Sequence, residues 1–167
     1  MVGIQTARVL LSYCGSAQAV FETPFNQLKE IPNVGQIKAN SIRKNEALEI
    51  AKVELEFIEK NNIDPIYFTD KKYPSRLKLC EDAPLLFYSK GKAEFNNEKT
   101  IAIVGSRQAT NYGKGFTANL VKDLALFNPL IISGLAYGID IEAHRASVIN
   151  GVETVAVLGN GLSSIYP

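Results

Sequence analysis

Three short β-branched runs, each closed by a glycine-bearing turn, constrain this chain more than any other feature. Ile101-Ala102-Ile103-Val104 runs into Gly105-Ser106-Arg107, and Ile131-Ile132-Ser133 runs into Gly134. Thr154-Val155-Ala156-Val157-Leu158 then runs into Gly159-Asn160-Gly161. Helix-like segments follow the first two turns, so the pattern is strand, helix, strand, helix, strand, which is how an α/β chain writes a parallel sheet with crossover helices. In such a sheet the turns at the strands' carboxyl ends open on one edge, where ligands bind. That edge is the candidate site.

The intervening segments support the pattern. From Tyr112 the chain turns helical, and Phe116, Leu120 and Leu124 fall at i, i+4 and i+8, predicting a stripe that covers the sheet. Phe127 continues it, and Asn128-Pro129 ends it. Asp140 reads as the cap of the next helix, with His144 four residues on and on the same face.

The glycine turns can be tested against known phosphate sites. A P-loop needs four residues between its first glycine and Gly-Lys-Ser/Thr; seven separate Gly105 from Gly113-Lys114 here, and Gly115 follows instead of a hydroxyl residue. A dinucleotide fingerprint needs G-x-G-x-x-G at the first turn and an acid closing the second strand, whereas this chain has Gly105-Ser106-Arg107 and Ser133-Gly134. Neither nucleotide site fits, and no cofactor is expected. What remains is a phosphate-facing edge. Gly105 lets backbone come close, Ser106 offers a hydroxyl, and the Arg107 guanidinium can fork onto a phosphate, unless a local carboxylate holds it. Ser133, Gly134 and Gly138 come from the second turn, and Gly159, Asn160 and Gly161 from the third. A triad of Ser133, His144 and Asp140 is disfavoured, because no G-x-S-x-G elbow is present. The expected role is binding, not catalysis.

The first sixty residues contain a repeat. Val2-Gly3 through Leu10 lies over Val34-Gly35 through Ile42 with Val, Gly and Ala coinciding. The lead-in Leu28 to Gly35 resembles a helix-hairpin-helix, whose tight turn can offer N–H groups to a phosphate. Gly35 and Lys38 are therefore a possible second DNA contact, set against the plainer reading that paired hairpins are a packing unit. Asn45 reads as the cap of a helix reaching Lys60, with Ala47, Ala51, Leu55 and Ile58 as its apolar stripe and Glu46, Glu49, Glu54, Glu56 and Glu59 solvated. The boundary is placed between residues 62 and 63, giving a helical hairpin domain (1–62) and a Rossmann-like domain (63–167). Tyr67, Phe68, Tyr73, Phe87 and Tyr88 are expected to be core more than base-stacking platforms.

Composition excludes little but is consistent. With 18 Lys and Arg against 17 Asp and Glu, bulk charge does not demand a polyanionic partner, so a nucleic-acid site must be a local patch. Two cysteines and one histidine cannot supply four ligands for a structural zinc, and no metal is expected. No apolar run is long enough to span a membrane.

The motifs together resemble one family. Val104-Gly105-Ser106-Arg107 with Tyr112-Gly113, Ser133-Gly134-Leu135-Ala136-Tyr137-Gly138-Ile139-Asp140 with Ala143-His144, and Ala156-Val157-Leu158-Gly159-Asn160-Gly161-Leu162 with Tyr166-Pro167 are similar to the DNA-processing protein A family, also called DprA or Smf. The resemblance implies a bacterial cytoplasmic protein that binds and protects incoming single-stranded DNA in natural transformation and assists RecA loading. It further implies an extended Rossmann-like fold, a homodimer in the full-length protein, no membrane association, and a basic pocket in which the Arg of the Gly-Ser-Arg turn meets phosphate. The family's Rossmann domain normally continues past such a Tyr-Pro, so the domain here is expected to be incomplete at its C-terminal end. Two rivals stay open. One is a Rossmann-like nucleotide phosphoribohydrolase, for which Asp140 is the candidate acid, and the other is a scaffold that binds no nucleic acid.

Overall fold

The computed structural model of the chain describes residues 2–44 and 46–164. Contacts divide it into two compact units, Met1–Asp70 with Leu77–Lys90, and Lys71–Arg76 with Gly91–Pro167. The expected boundary at 62/63 falls inside the first of these.

The first unit contains helices α1 (Ile4–Cys14), α2 (Ala17–Glu22), α3 (Phe25–Leu28), α4 (Gly35–Arg43) and α5 (Glu46–Asn61). An antiparallel hairpin follows, β1 (Asp64–Tyr67) with β2 (Leu86–Ser89). Gly15, at φ +88°, ends α1, and the Ser16 hydroxyl then starts α2 by accepting from the Ala19 N–H. Leu10, Val20, Leu28, Ile31, Val34, Ala39 and Ile42 form one buried cluster, so α1 to α4 share a core. Both copies of the repeat start a helix at their glycine, but the turns differ: Gly3 has φ −86°, whereas Gly35 has φ +62° and follows Asn33 at +64°. Only the second turn requires glycine.

The sequence expectations for α5 hold in part. Glu49, Glu54, Glu56 and Glu59 are exposed, yet of the expected stripe only Ile58 is buried, while Ala47, Ala51 and Leu55 are exposed. Periodicity marks an apolar face without saying what covers it, and this helix is anchored at its C-terminal end. There Ile63 N–H donates back to the Ile58 carbonyl. The expected cap, Asn45, and the Glu46 side chain lie outside what the structure describes. The hairpin belongs with the helices because Arg8 of α1 donates to the carbonyls of Glu81 and Ala83, at 2.9 and 2.6 Å, and lies over the Phe68 ring. Tyr73 is buried as expected, but Tyr67 and Tyr88 are exposed, since each strand of a two-stranded hairpin keeps an open face.

The second unit is the parallel sheet. Its elements are β3 (Thr100–Ala102), α6 (Asn111–Leu124), a 3₁₀ turn (Ala125–Phe127), β4 (Leu130–Ser133), α7 (Ile139–Ile149) and β5 (Thr154–Ala156), with strand order β3-β4-β5. Both pairings are parallel, with Ala102, Ile132 and Val155 in one register row. This is the α/β, Rossmann-like arrangement that the pattern predicts. Ile101, Ile103 and Ile131 face a cluster with Ala143 of α7, and α6 packs on α7. On the opposite face Val104 is 73% and Val157 60% exposed.

One helix face departs from expectation. Phe116 and Leu120 are exposed, and α6 instead buries Thr117 and Val121. The reason is closeness: a Cβ on Gly113 would lie 3.3 Å from Ile139 Cδ1, and the Thr117 hydroxyl is satisfied by the Gly113 carbonyl at 2.9 Å. Small side chains bring α6 against α7, and the larger apolar residues turn outward.

Candidate functional site

Because the three strands run parallel in matched register, the turns after β3, β4 and β5 leave from one edge. Asp140 organises the first two. Its carboxylate accepts from the Gly105 N–H at 3.1 Å through Oδ1 and from the Gly134 N–H at 3.2 Å through Oδ2, and the residue is only 6% exposed. The expected capping role is therefore corrected: Gly138 precedes α7, the helix start carries no side-chain cap, and Asp140 ties two loops together instead. A carboxylate serves here because it accepts at two oxygens, and a helix start favours negative charge.

The glycines are fitted to the chain itself. A Cβ on Gly105 would come within 2.7 Å of Ile139 Cγ1, and one on Gly134 within 2.9 Å of Asp140 Oδ2. Gly138 has φ +86°, and a Cβ there would run into the Ser106 carbonyl oxygen, which accepts from the Ile139 N–H at 3.2 Å. Ser133 is also committed: it is 2% exposed, and its hydroxyl donates to the Ile103 carbonyl at 2.6 Å. These four residues build the edge without lying on its surface as free donors.

What the edge presents is Ser106 and Arg107. Both are exposed; Ser106 Oγ accepts from the Gln108 N–H at 3.2 Å, which leaves its own proton to donate. The Arg107 guanidinium makes no hydrogen bond or ion pair among the described residues, so no local carboxylate holds it there. The third turn joins through β5, where the Val157 N–H donates to the Ser133 carbonyl at 2.8 Å. Gly159, Asn160 and Gly161 are exposed beyond it, and the Asn160 amide donates to the carbonyls of Gly161 and Ser164. Gly35 and Lys38 belong to the other unit. Lys38 donates to the Thr6 hydroxyl at 2.8 Å and the Asn33 carbonyl at 2.7 Å, which stitches α4 to α1 across the repeat.

His144 is buried behind the edge. Thr154 Oγ1 donates to the Ile131 carbonyl at 3.1 Å, so it accepts from His144 Nδ1–H at 2.7 Å, which fixes the tautomer. Nε2 is buried with no partner among the described residues, and burial pushes the imidazole below its ordinary pKa against the opposing pull of Asp140. Ser133, Asp140 and His144 are thus engaged with Ile103, two glycine N–H groups and Thr154 respectively, and no hydrogen bond joins the three. The residue that sequence reasoning misplaced was Asp140; its one legible signal was an acid just past a glycine turn.

The model of the family described as DNA recombination-mediator protein A matches residues 64–167. The chain belongs to that family. A DNA processing protein DprA of Streptococcus pneumoniae is 40% identical over 99 residues, 59% of this chain and 34% of the relative. The chain spans about a third of the length of curated relatives such as this one and its Bacillus subtilis counterpart. The X-ray structure of the S. pneumoniae DprA superposes with a TM-score of 0.74 at 27% identity, covering 99% of this chain and 56% of that one. A Helicobacter pylori DprA structure, described for its unique single-stranded DNA binding mode, matches 63% of this chain and 46% of its own, with a TM-score of 0.55 at 27% identity.

Proposed function

We propose that the glycine-turn edge holds the backbone of single-stranded DNA and that the whole protein is a recombination mediator of natural transformation, not an enzyme. The observation that carries this reading is Arg107, an exposed forked cation with no partner among the described residues, beside a donating hydroxyl on the edge where a parallel sheet binds ligands. Ser106 and Arg107 contact phosphate, Gly159 to Gly161 offer open backbone, and Gly105, Ser133, Gly134 and Gly138 shape the turns. Gly35 and Lys38 serve mainly the hairpin unit, since Lys38 is spent on Thr6 and Asn33. By likeness to the family, the protein works as a cytoplasmic homodimer that protects incoming strands and assists RecA loading. The family match and the H. pylori relative support the DNA-binding part. The phosphoribohydrolase reading is weaker, because the acid it needs, Asp140, is buried and bonded to two backbone N–H groups.

The test is a titration with an oligo-dT strand over a range of salt. Arg107→Ala should weaken binding equally for different base sequences and flatten the single-strand salt slope by ~0.7 if one cation neutralises one phosphate. Equal binding by variant and parent at every salt concentration would remove Arg107 from the site and the reading with it.

A further inference from the structure

α6 carries a surface that its own unit leaves unused. Tyr112 is 81% and Phe116 58% exposed, and their rings lie one helical turn apart with centroids separated by 6.4 Å and planes inclined by 28°. Gly115 falls beside them, since residues i, i+3 and i+4 share a helix face. It is exposed, and a Cβ placed on it would meet nothing within 4 Å. Glycine inside a helix is destabilising relative to alanine, and the usual reasons for one are a positive φ or a close neighbour. Gly113 has such a neighbour in Ile139; Gly115 has neither. The face is thus two near-parallel aromatic rings beside a strip of bare backbone.

Cations outnumber acids in the sequence around it. From Glu98 to Asp123 the chain carries Lys99, Arg107, Lys114 and Lys122 against Glu98 and Asp123, and Asp123 lies two turns along the helix on the side of Phe116. Lys114, two residues from each ring, faces the other side of α6. Arg107 lies five residues before Tyr112, within ~18 Å of extended chain. A protein partner would be served as well by aliphatic side chains. Near-parallel rings and open backbone, continuous with the edge that carries the Arg107 cation, together fit a flat, anion-bearing ligand.

The geometry points to Tyr112, Gly115 and Phe116 as a stacking shelf for the bases of single-stranded DNA whose phosphates are held by Arg107. This rests on the phosphate role proposed for Arg107 and adds what the bases do. Stacking tolerates any base, because each has a π-face, so the shelf strengthens binding without reading sequence.

The experiment titrates the protein, at one salt concentration, with an oligo-dT strand and with an abasic strand of the same length. The parent should bind oligo-dT more tightly. Tyr112→Ala and Phe116→Ala should each weaken oligo-dT binding on the order of tenfold and leave abasic binding unchanged, while Tyr112→Phe keeps both. Gly115→Leu should also weaken oligo-dT binding, and because leucine favours helix its loss cannot be put down to unfolding. Arg107→Ala should weaken both strands alike. If Arg107→Ala does so while the Tyr112, Gly115 and Phe116 variants bind oligo-dT like the parent, the shelf is overturned and the phosphate reading stands. If the parent binds neither strand, both fall. A Tyr112→Ala protein with altered sedimentation and parental DNA binding marks the face as a protein contact, which overturns the shelf.

Discussion

Asp140 shows how much a single side chain decides at this edge. Two loops that follow different strands each aim a backbone N–H inward, and one buried carboxylate satisfies both. Asp140→Ala would leave those donors without a partner, so urea unfolding should show a loss of about 2–4 kcal/mol. Asp140→Asn keeps one acceptor oxygen and turns an NH₂ toward the other donor, so its loss should be smaller than that of alanine. His144 supplies the pH dependence. Its folded pKa is lowered, chiefly by burial, so below the unfolded value of about 6.5 the unfolded chain takes up the proton first. Stability should therefore be full above that pH and fall as the pH drops from it toward the folded pKa. The chain has one histidine, so urea midpoints between pH 7.5 and 5.5 isolate its effect, and His144→Gln should flatten the profile.

At the scale of elements, α6 separates its two stripes. The helix is one turn pattern with two candidate apolar faces, and packing against α7 selects the one with small residues. Val121, with no exposure, should cost about 2 kcal/mol when cut to alanine, whereas Phe116→Ala should stay within about 0.5 kcal/mol of the parent. Thermal or urea unfolding of the pair checks this. A large loss at Phe116 with none at Val121 would restore the stripe read from hydrophobicity. The same contrast runs through α5, whose Ile50 and Val53 are exposed and whose buried contact is Ile58 near its end.

For the molecule as a whole, the parallel sheet leaves both its edges and one face open. Among the described strands β3 and β5 each have one neighbour, and the face bearing Ala102, Val104 and Val157 is exposed. Unpaired edges and an apolar sheet face promote association between copies. The 167-residue chain should show sedimentation that increases with concentration, and Val104→Lys with Val157→Lys should reduce it while changing the melting temperature little. Sedimentation independent of concentration in the parent would mean that this face is not sticky.

The sequence by itself determined the order of strands and helices, the parallel sheet and the gathering of the glycine turns on one edge. Those follow from local alternation, from turn residues and from the geometry of crossovers, which any neighbouring stretch carries within itself. It also placed Ser106 and Arg107 on that edge. Only the tertiary structure decided which glycines serve the chain's own packing and which leave room, because a glycine beside Ile139 and a glycine beside open space are written alike. The same holds for Asp140, whose partners Gly105 and Gly134 come together through the pairing of β3 with β4. It holds too for α6, where the buried face was set by how closely α7 approaches, a distance that no periodicity encodes.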